Sequence, residues 1–209
     1  MKVLVLGASG MLGHRVYLQF RSQKIETKAL ARRTFSQLEK HNVFRKEDFI
    51  ENIDLTDAEK YLKVFDRERP NVIVNCAGAT TRKINTHSTA DIVALNGELP
   101  HRINDWCVKN ESKLIHISTD CVFKGTHAPY SEQSPIEAQD LYGLSKAIGE
   151  VKDSTHALTL RTSIIGLELE GKTELLEWMI LQKDKEARGF KNVIYSGVTT
   201  IYLAQLIST

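Results

Sequence analysis

Tyr142 and Lys146 are the residues of this chain best suited to moving a proton. They stand four apart in Tyr142-Gly143-Leu144-Ser145-Lys146, a spacing that sets both side chains on one face of a helix. A tyrosine hydroxyl is a poor acid or base near neutral pH until a nearby cation stabilises its phenolate. Lys146 can supply that charge and still offer N–H donors to a ribose. Thr119 ends the run Leu114–Ser118, where its hydroxyl can hydrogen-bond a substrate carbonyl and orient it. Tyr and Lys are common on helices, so the bland reading of the pair alone is two exposed side chains. The chemical reading gains its weight from a second motif at the other end of the chain.

That motif is Gly7-Ala8-Ser9-Gly10-Met11-Leu12-Gly13. Gly7 permits a tight turn, Gly10 lets backbone N–H groups approach a pyrophosphate, and Gly13 allows close helix–strand packing. The helix that follows adds partial positive charge and free N–H donors. Three glycines also occur in purely structural turns. Here the loop follows a strand and opens an amphipathic helix, the context that dinucleotide binding requires. A site for a bare ribose diol places Asp or Glu about twenty residues further on. This chain has Ala31-Arg32-Arg33 there, and two guanidinium groups suit a 2′-phosphate. The plain alternative is two solvated arginines. NADP(H) is therefore the expected cofactor, with NAD(H) as the alternative.

The elements that must hold these residues show a repeated change of period. Lys2–Leu6 reads as a strand, and Leu12, Val16 and Phe20 then recur at helical spacing. Ile25–Leu30, Asn71–Asn75, Lys113–Ser118 and Leu158–Thr162 read as further strands. Thr56 and Asp57 cap a helix carrying Ala58, Tyr61, Leu62 and Phe65 on one face, and Pro70 closes it. A helix over Leu141–Val151, capped by Asp140, carries Tyr142 and Lys146. Such alternation predicts an α/β fold with a doubly wound parallel sheet. The charged stretch 31–53 reads as a surface excursion. After Ser163 the alternation fades into a small lobe with a helix over Thr173–Gln182, a strand over Asn192–Ser196 and helical spacing in Ile201–Ile207. The expected division is 1–163 for the dinucleotide-binding domain and 164–209 for a partial, apparently truncated substrate lobe.

Composition narrows the partners. The 209 residues carry 28 Lys+Arg against 26 Asp+Glu, and a net charge of +2 gives no field that holds a polyanion, so nucleic acid is not expected. Apolar runs such as Val3–Leu6 are too short to span a membrane. Cys76, Cys107 and Cys121 form neither a disulfide framework nor a CxxC pair, which fits a reducing cytoplasm. Cys76 and Cys107 read as core packing, and Cys121, next to Asp120, reads first as structural, with a modifiable thiol as the lesser alternative. His14, His41, His87, His101, His116, His127 and His156 show no ligand spacing, so no metal is expected. Trp178 reads as the core of the small lobe.

Taken in order, several stretches resemble the extended short-chain dehydrogenase/reductase family, and within it the dTDP-4-dehydrorhamnose reductase branch. They are Gly7–Gly13, Ile53–Asp57, Val74–Gly78, Asn96, His116–Phe123, Tyr142–Lys146 and Leu160–Ser163, covering about residues 1–166, with Phe190–Ile207 resembling a later segment. The resemblance implies a Rossmann-like fold. It implies cofactor contacts from Gly10, Met11 and Leu12, from Asp54 and Leu55 near the adenine, and from Ala77, Gly78 and Ala79 along the ribose and pyrophosphate. It implies catalysis by Thr119, Tyr142 and Lys146, with Asp120 facing the sugar of a nucleotide-linked 6-deoxyhexose whose keto group is reduced.

Cys121 replaces the aromatic of the STDYVF form, and Ile164 stands where an aromatic often meets the sugar; both bear on which sugar is taken. Two other functions fit the same scaffold. One is a sugar-nucleotide epimerase or dehydratase, which retains NAD and usually needs an extra acid/base residue near Thr119. No Glu follows Asp120. The other is a non-catalytic, nucleotide-binding regulatory subunit, which has no need of Thr119, Tyr142 and Lys146 together. A homodimer is compatible with all three.

Overall fold

The computed structural model describes residues 1–80, 86–126, 129–193 and 195–209; His127 lies outside them. Strand β1 (Lys2–Leu6) is buried on both faces because Val3 and Val5 point one way and Leu4 and Leu6 the other. It forms the centre of a six-stranded, wholly parallel sheet. On one side lie β2 (Glu26–Leu30) and β3 (Phe49–Ile50). On the other lie β4 (Val72–Asn75), β5 (Lys113–Ser118) and β6 (Ala157–Arg161). The order β3-β2-β1-β4-β5-β6 reverses direction between β1 and β4. That reversal opens the crevice at the carboxyl edge where doubly wound sheets bind ligands.

Each face of the sheet has its own core. Leu4, Leu6, Leu30, Ile73 and Leu114 pack under α3 (Ala58–Glu68) and α5 (Leu99–Lys109), with Tyr61, Phe65, Ile103, Trp106 and Cys107 between. Val3, Val5, Ala29 and Val74 meet Leu12, Val16, Tyr17 and Phe20 at α1 (Gly13–Ser22). Leu203, Ala204 and Ile207 of the last helix, Thr200–Ile207, join this second core. Part of the stretch 164–209 thus shares the packing of the sheet domain.

Three local expectations need correction. The stretch 31–53 is more than a surface excursion: it supplies α2 (Phe35–Leu38) and edge strand β3, knit by Tyr17–Phe44, Phe44–Phe49 and Phe35–Phe49 ring contacts. Its many charges hid those aromatics from a periodicity argument. Residue 194 lies outside the described residues, and 192, 193, 195 and 196 are not strand. The strand is β8 (Val198–Thr199), paired with β7 (Ile164–Ile165). Trp178, in α7 (Leu175–Leu181), is 42% exposed and fills no core. Between α4 (Thr89–Ile92) and α5 the chain widens into a π-helical turn, Val93–Glu98, which carries Asn96.

Candidate cofactor and catalytic site

The glycine loop runs under the switch point. Gly7 has φ +67°, and a Cβ there would lie 2.8 Å from the Ala77 backbone, so only glycine fits both the turn and the approach to the β4 loop. The Gly10 N–H donates to the Gly7 carbonyl at 2.9 Å, and the Ala8 N–H to the Leu30 carbonyl at 3.1 Å. His14 Nδ1 lies 2.8 Å from the Gly10 carbonyl and pins the loop from below, while burial lowers this histidine's pKa. Leu12, before α1, makes no side-chain cap, so no side chain closes this helix N-terminus, although the His14 N–H donates to the Gly10 carbonyl at 3.3 Å and the Arg15 N–H to the Leu12 carbonyl at 3.0 Å. Gly10 is exposed, Ser9 and Met11 half-buried, and Leu12 buries its side chain in the core, leaving its backbone for a ligand. This uncapped, glycine-lined cradle fits a pyrophosphate.

At the end of β2 the two arginines part. Arg32 is exposed and acts on the carboxylate of Asp54, whereas Arg33 is ion-paired to Glu170 at 2.9 Å. Asp54 is partly desolvated, which works to raise its pKa. The Thr56 N–H and hydroxyl, at 2.9 and 2.8 Å, outweigh this and hold its carboxyl below the usual range. Leu55 packs against the core beside it. The α3 cap is Asp57, accepting from the Lys60 N–H.

The loop after β4 joins the two halves of the site. The Ala77 N–H donates to Asn75 Oδ1 at 3.1 Å. The Ala79 N–H donates to Asn96 Oδ1 at 2.9 Å, and Asn96 Nδ2 donates to the Ala79 carbonyl and to Ser145 Oγ. A Cβ on exposed Gly78 would meet Asn96 Oδ1 at 2.9 Å and reach within 4.0 Å of Lys146 Nζ. Ala77 therefore touches the glycine loop while Gly78 borders Lys146. Asn96 holds this arrangement from its π-turn, a distortion that often marks functional positions. Its periodicity offers no signal of that role.

Thr119 and Tyr142 meet at the carboxyl end of β5. Thr119 Oγ1 accepts from the Cys121 N–H at 3.2 Å, lies 3.4 Å from Asp120 Oδ1, and stands close enough to Tyr142 to act on its hydroxyl. Burial pushes the Tyr142 pKa up, and the Thr119 hydroxyl works against that rise. Helix α6 (Leu141–Ile148), capped by Asp140 to the Gly143 N–H at 2.9 Å, brings Lys146 one turn below. Lys146 is buried and its pKa is lowered to about 8, chiefly by desolvation and against the attraction of Glu150. Its Nζ donates to the Ile117 carbonyl at 2.6 Å and lies 3.4 Å from His116 Nε2.

His116 itself is fully buried and held well below its usual pKa by desolvation and then by Lys146. Because Asn75 Oδ1 accepts from Ala77, Asn75 Nδ2 is the group aimed at His116 Nδ1, at 3.2 Å.

Beneath these residues lies an ion pair that the sequence argument missed. Glu150 accepts from Arg161 at 2.7 and 2.8 Å and from Ser118 Oγ at 2.9 Å. It ties the residue before Thr119 to the end of α6 and to β6. Glu150 follows Lys146 by four residues, the spacing that could have flagged it. On the outer side Asp120 Oδ1 accepts from Ser163 Oγ at 2.6 Å, and Tyr195 comes within reach of Ser163 and Asp120. Tyr195 donates to the Ile164 carbonyl at 3.2 Å. Burial raises the Cys121 thiol, and Cys76 and Cys107 are pushed up to about 12, so none is an activated thiolate. Among the described residues no helix is long and apolar enough to cross a membrane, and no cluster of three or more His, Cys, Asp or Glu could hold a metal ion.

A parallel sheet reversing at β1/β4, a glycine loop at that switch and a Thr–Tyr–Lys set at the β5 edge define a Rossmann-fold protein of the extended short-chain dehydrogenase/reductase class. The chain belongs to the RmlD substrate binding domain family, whose model matches residues 1–187. It is 31% identical over 148 residues to a dTDP-4-dehydrorhamnose reductase of Streptomyces griseus, covering 70% of this chain and 43% of that protein. It is 28% identical over 180 residues to the mouse methionine adenosyltransferase 2 subunit beta, covering 81% of this chain and 48% of the relative. The chain thus spans about half the length of the curated relatives it matches. The dTDP-4-dehydrorhamnose reductase of Bacillus anthracis, solved in complex with NADP, superposes with a TM-score of 0.76 at 24% identity, over 99% of this chain and 69% of that one.

Proposed function

We propose that this chain works as an NADPH-dependent reductase of the keto group of a nucleotide-linked 6-deoxyhexose, of the dTDP-4-dehydrorhamnose reductase kind, in dTDP-rhamnose or surface-polysaccharide synthesis. The observation that carries the proposal is the convergence of Thr119, at the β5 edge, with Tyr142 and with Lys146 one helical turn further along α6. A bound nicotinamide supplies the hydride. Thr119 orients the substrate carbonyl, and Tyr142 gives its hydroxyl proton to the oxygen as negative charge develops there. Lys146 holds a ribose and offers a cation to the tyrosinate left behind. Asp120, fixed by Ser163, faces the sugar. Gly7, Ser9, Gly10, Met11, Leu12 and Gly13 cradle the pyrophosphate, Ala77–Ala79 flank it, and Asp54 and Leu55 border the adenine. Arg32 and Arg33 take the 2′-phosphate. The reading takes the cytoplasm as the compartment and allows a homodimer.

A regulatory, non-catalytic role is the second reading, favoured by the likeness to a methionine adenosyltransferase subunit. An epimerase or dehydratase is disfavoured by Cys121 after Asp120, where a carboxylic acid is wanted. Two variants decide between catalysis and binding alone. Tyr142→Phe keeps the ring, so NADPH affinity stays near parental while turnover of a dTDP-4-keto-6-deoxyhexose falls about 10²–10⁴-fold. Lys146→Met lowers both. If Tyr142→Phe reduces the ketone at the parental rate, Tyr142 is not the acid and the catalytic assignment fails.

A further inference from the structure

Glu170 already places an anion on one of the arginines assigned to the 2′-phosphate. Its carboxylate lies 2.9 Å from Arg33 Nη1, 3.1 Å from Lys40 Nζ and 3.8 Å from His41 Nε2. Three basic side chains of one segment thus converge on a single acid from a distant one. That acid is held in place. Glu168 Oε2 accepts from the Thr173 N–H at 2.7 Å, the Thr173 hydroxyl at 3.2 Å and the Glu174 N–H at 3.1 Å. These bonds close the turn through Gly171, at φ +106°, and fix the loop from which Glu170 reaches back. The Glu170 side chain is 25% exposed, against 49% for Arg33 and 66% for Lys40. Its hydrogen bond from Lys40, then the nearby charge of Arg33, hold its carboxyl below the usual range, so it is ionised at neutral pH.

We infer that Glu170 is a specificity-determining residue for the cofactor. It acts as an internal anion that occupies the Arg33 and Lys40 cations, beside His41, and must be displaced before a ribose 2′-phosphate can enter. The inference rests on the reading of Arg33 as a phosphate ligand and deepens it. A phosphate monoester and a carboxylate compete for the same guanidinium geometry and repel each other when both are present. A ribose carrying a bare 2′-hydroxyl makes no such demand. The preference for NADPH is therefore set by the difference between two anions, one diffusible and one tethered. A strap residue rather than the β2 arginines alone then tunes the choice of cofactor.

Fluorescence titration of the chain with NADPH and with NADH tests this, using Glu170→Gln, Arg33→Ala and the double variant. Glu170→Gln should tighten NADPH about threefold to tenfold, the weight of one or two partly exposed ion pairs, and leave NADH within about twofold. The gain should shrink in the Arg33→Ala background, because the acid then has less to block. Thermal melts of each variant confirm folding. If Arg33→Ala weakens NADPH selectively but Glu170→Gln brings no gain, the strap fails and the phosphate reading stands. If Arg33→Ala leaves both affinities unchanged, both fail. A loss of NADH affinity in Glu170→Gln would make the carboxylate a ligand of the ribose diol and overturn the inference.

Discussion

The two ends of the cofactor crevice handle charge in opposite ways. At the β5–α6 end, Lys146 and Glu150 are buried, and each polar group around them has a named partner: Ile117, His116, Ser118 and Arg161. At the β2 end, Arg33, Lys40 and Glu170 pair at the surface, where water competes for all three. Burial makes a charge expensive to strand but fixes it in one geometry, which suits groups that must meet a reacting atom. Exposure makes a pair weak and exchangeable, which suits groups that trade partners when a ligand arrives. The same fold thus separates a rigid end, where the proposed chemistry lies, from an adjustable end, where the proposed phosphate recognition lies.

That contrast breaks first, and most visibly, at Glu150. Glu150→Ala removes the buried carboxylate that accepts from Arg161 and from the Ser118 hydroxyl, leaving Arg161 only the Glu132 carbonyl and the Phe123 ring. Urea unfolding should show a loss of about 3–5 kcal/mol, the usual cost of removing one partner of a buried pair. A loss under about 1 kcal/mol would mean that the pair is solvated and the contrast false. Lys146 gives the next largest effect. Its pKa is lowered from 10.5 to about 8 in the folded state, so the folded protein releases this proton before the unfolded chain does. Between those values the unfolded chain binds more protons and stability rises with pH, by roughly 2–3 kcal/mol from pH 8 to 10.5. Below pH 8 this contribution is flat. Unfolding curves of the parent and Lys146→Met across that range should differ by this rise, and parallel profiles would contradict it. The smallest effect is at the exposed end: Arg33→Ala should change folding stability by less than about 0.5 kcal/mol, since a half-exposed surface pair contributes little. A larger loss would place the Glu170 cluster with the buried network instead.

The sequence made the chemical end easier to read than the recognition end, for physical reasons. Strands β1 and β5 match their expected bounds, β1 as a short apolar run buried on both faces and β5 as an alternation of buried and half-buried residues. Asp57 and Asp140 cap their helices as their residue types require. Tyr142 and Lys146 share one face of α6 by their spacing, and Thr119 was legible as the residue that ends β5 at the sheet's carboxyl edge. Glu170 and Tyr195 reach the site from beyond residue 163, and no spacing rule relates them to Arg33 or Asp120. Asn96 was visible only as part of a family pattern, because a π-turn has no hydrophobic period to announce it. β3 was hidden by its charged neighbours, and Trp178 by the assumption that a large aromatic must be inside.

The claim that this crevice reduces a sugar ketone, rather than only holding a nucleotide, is tested most directly by following the hydride. The full-length form of this chain is mixed with dTDP-4-keto-6-deoxyhexose and NADPH carrying two deuterium atoms at nicotinamide C4, and the sugar product is read by mass spectrometry and NMR. The account predicts deuterium on the former keto carbon with the parent chain, and its loss by about 10²–10⁴-fold in Tyr142→Phe at saturating cofactor. NADPH bound tightly with no label reaching the sugar would contradict it and leave the regulatory reading in its place.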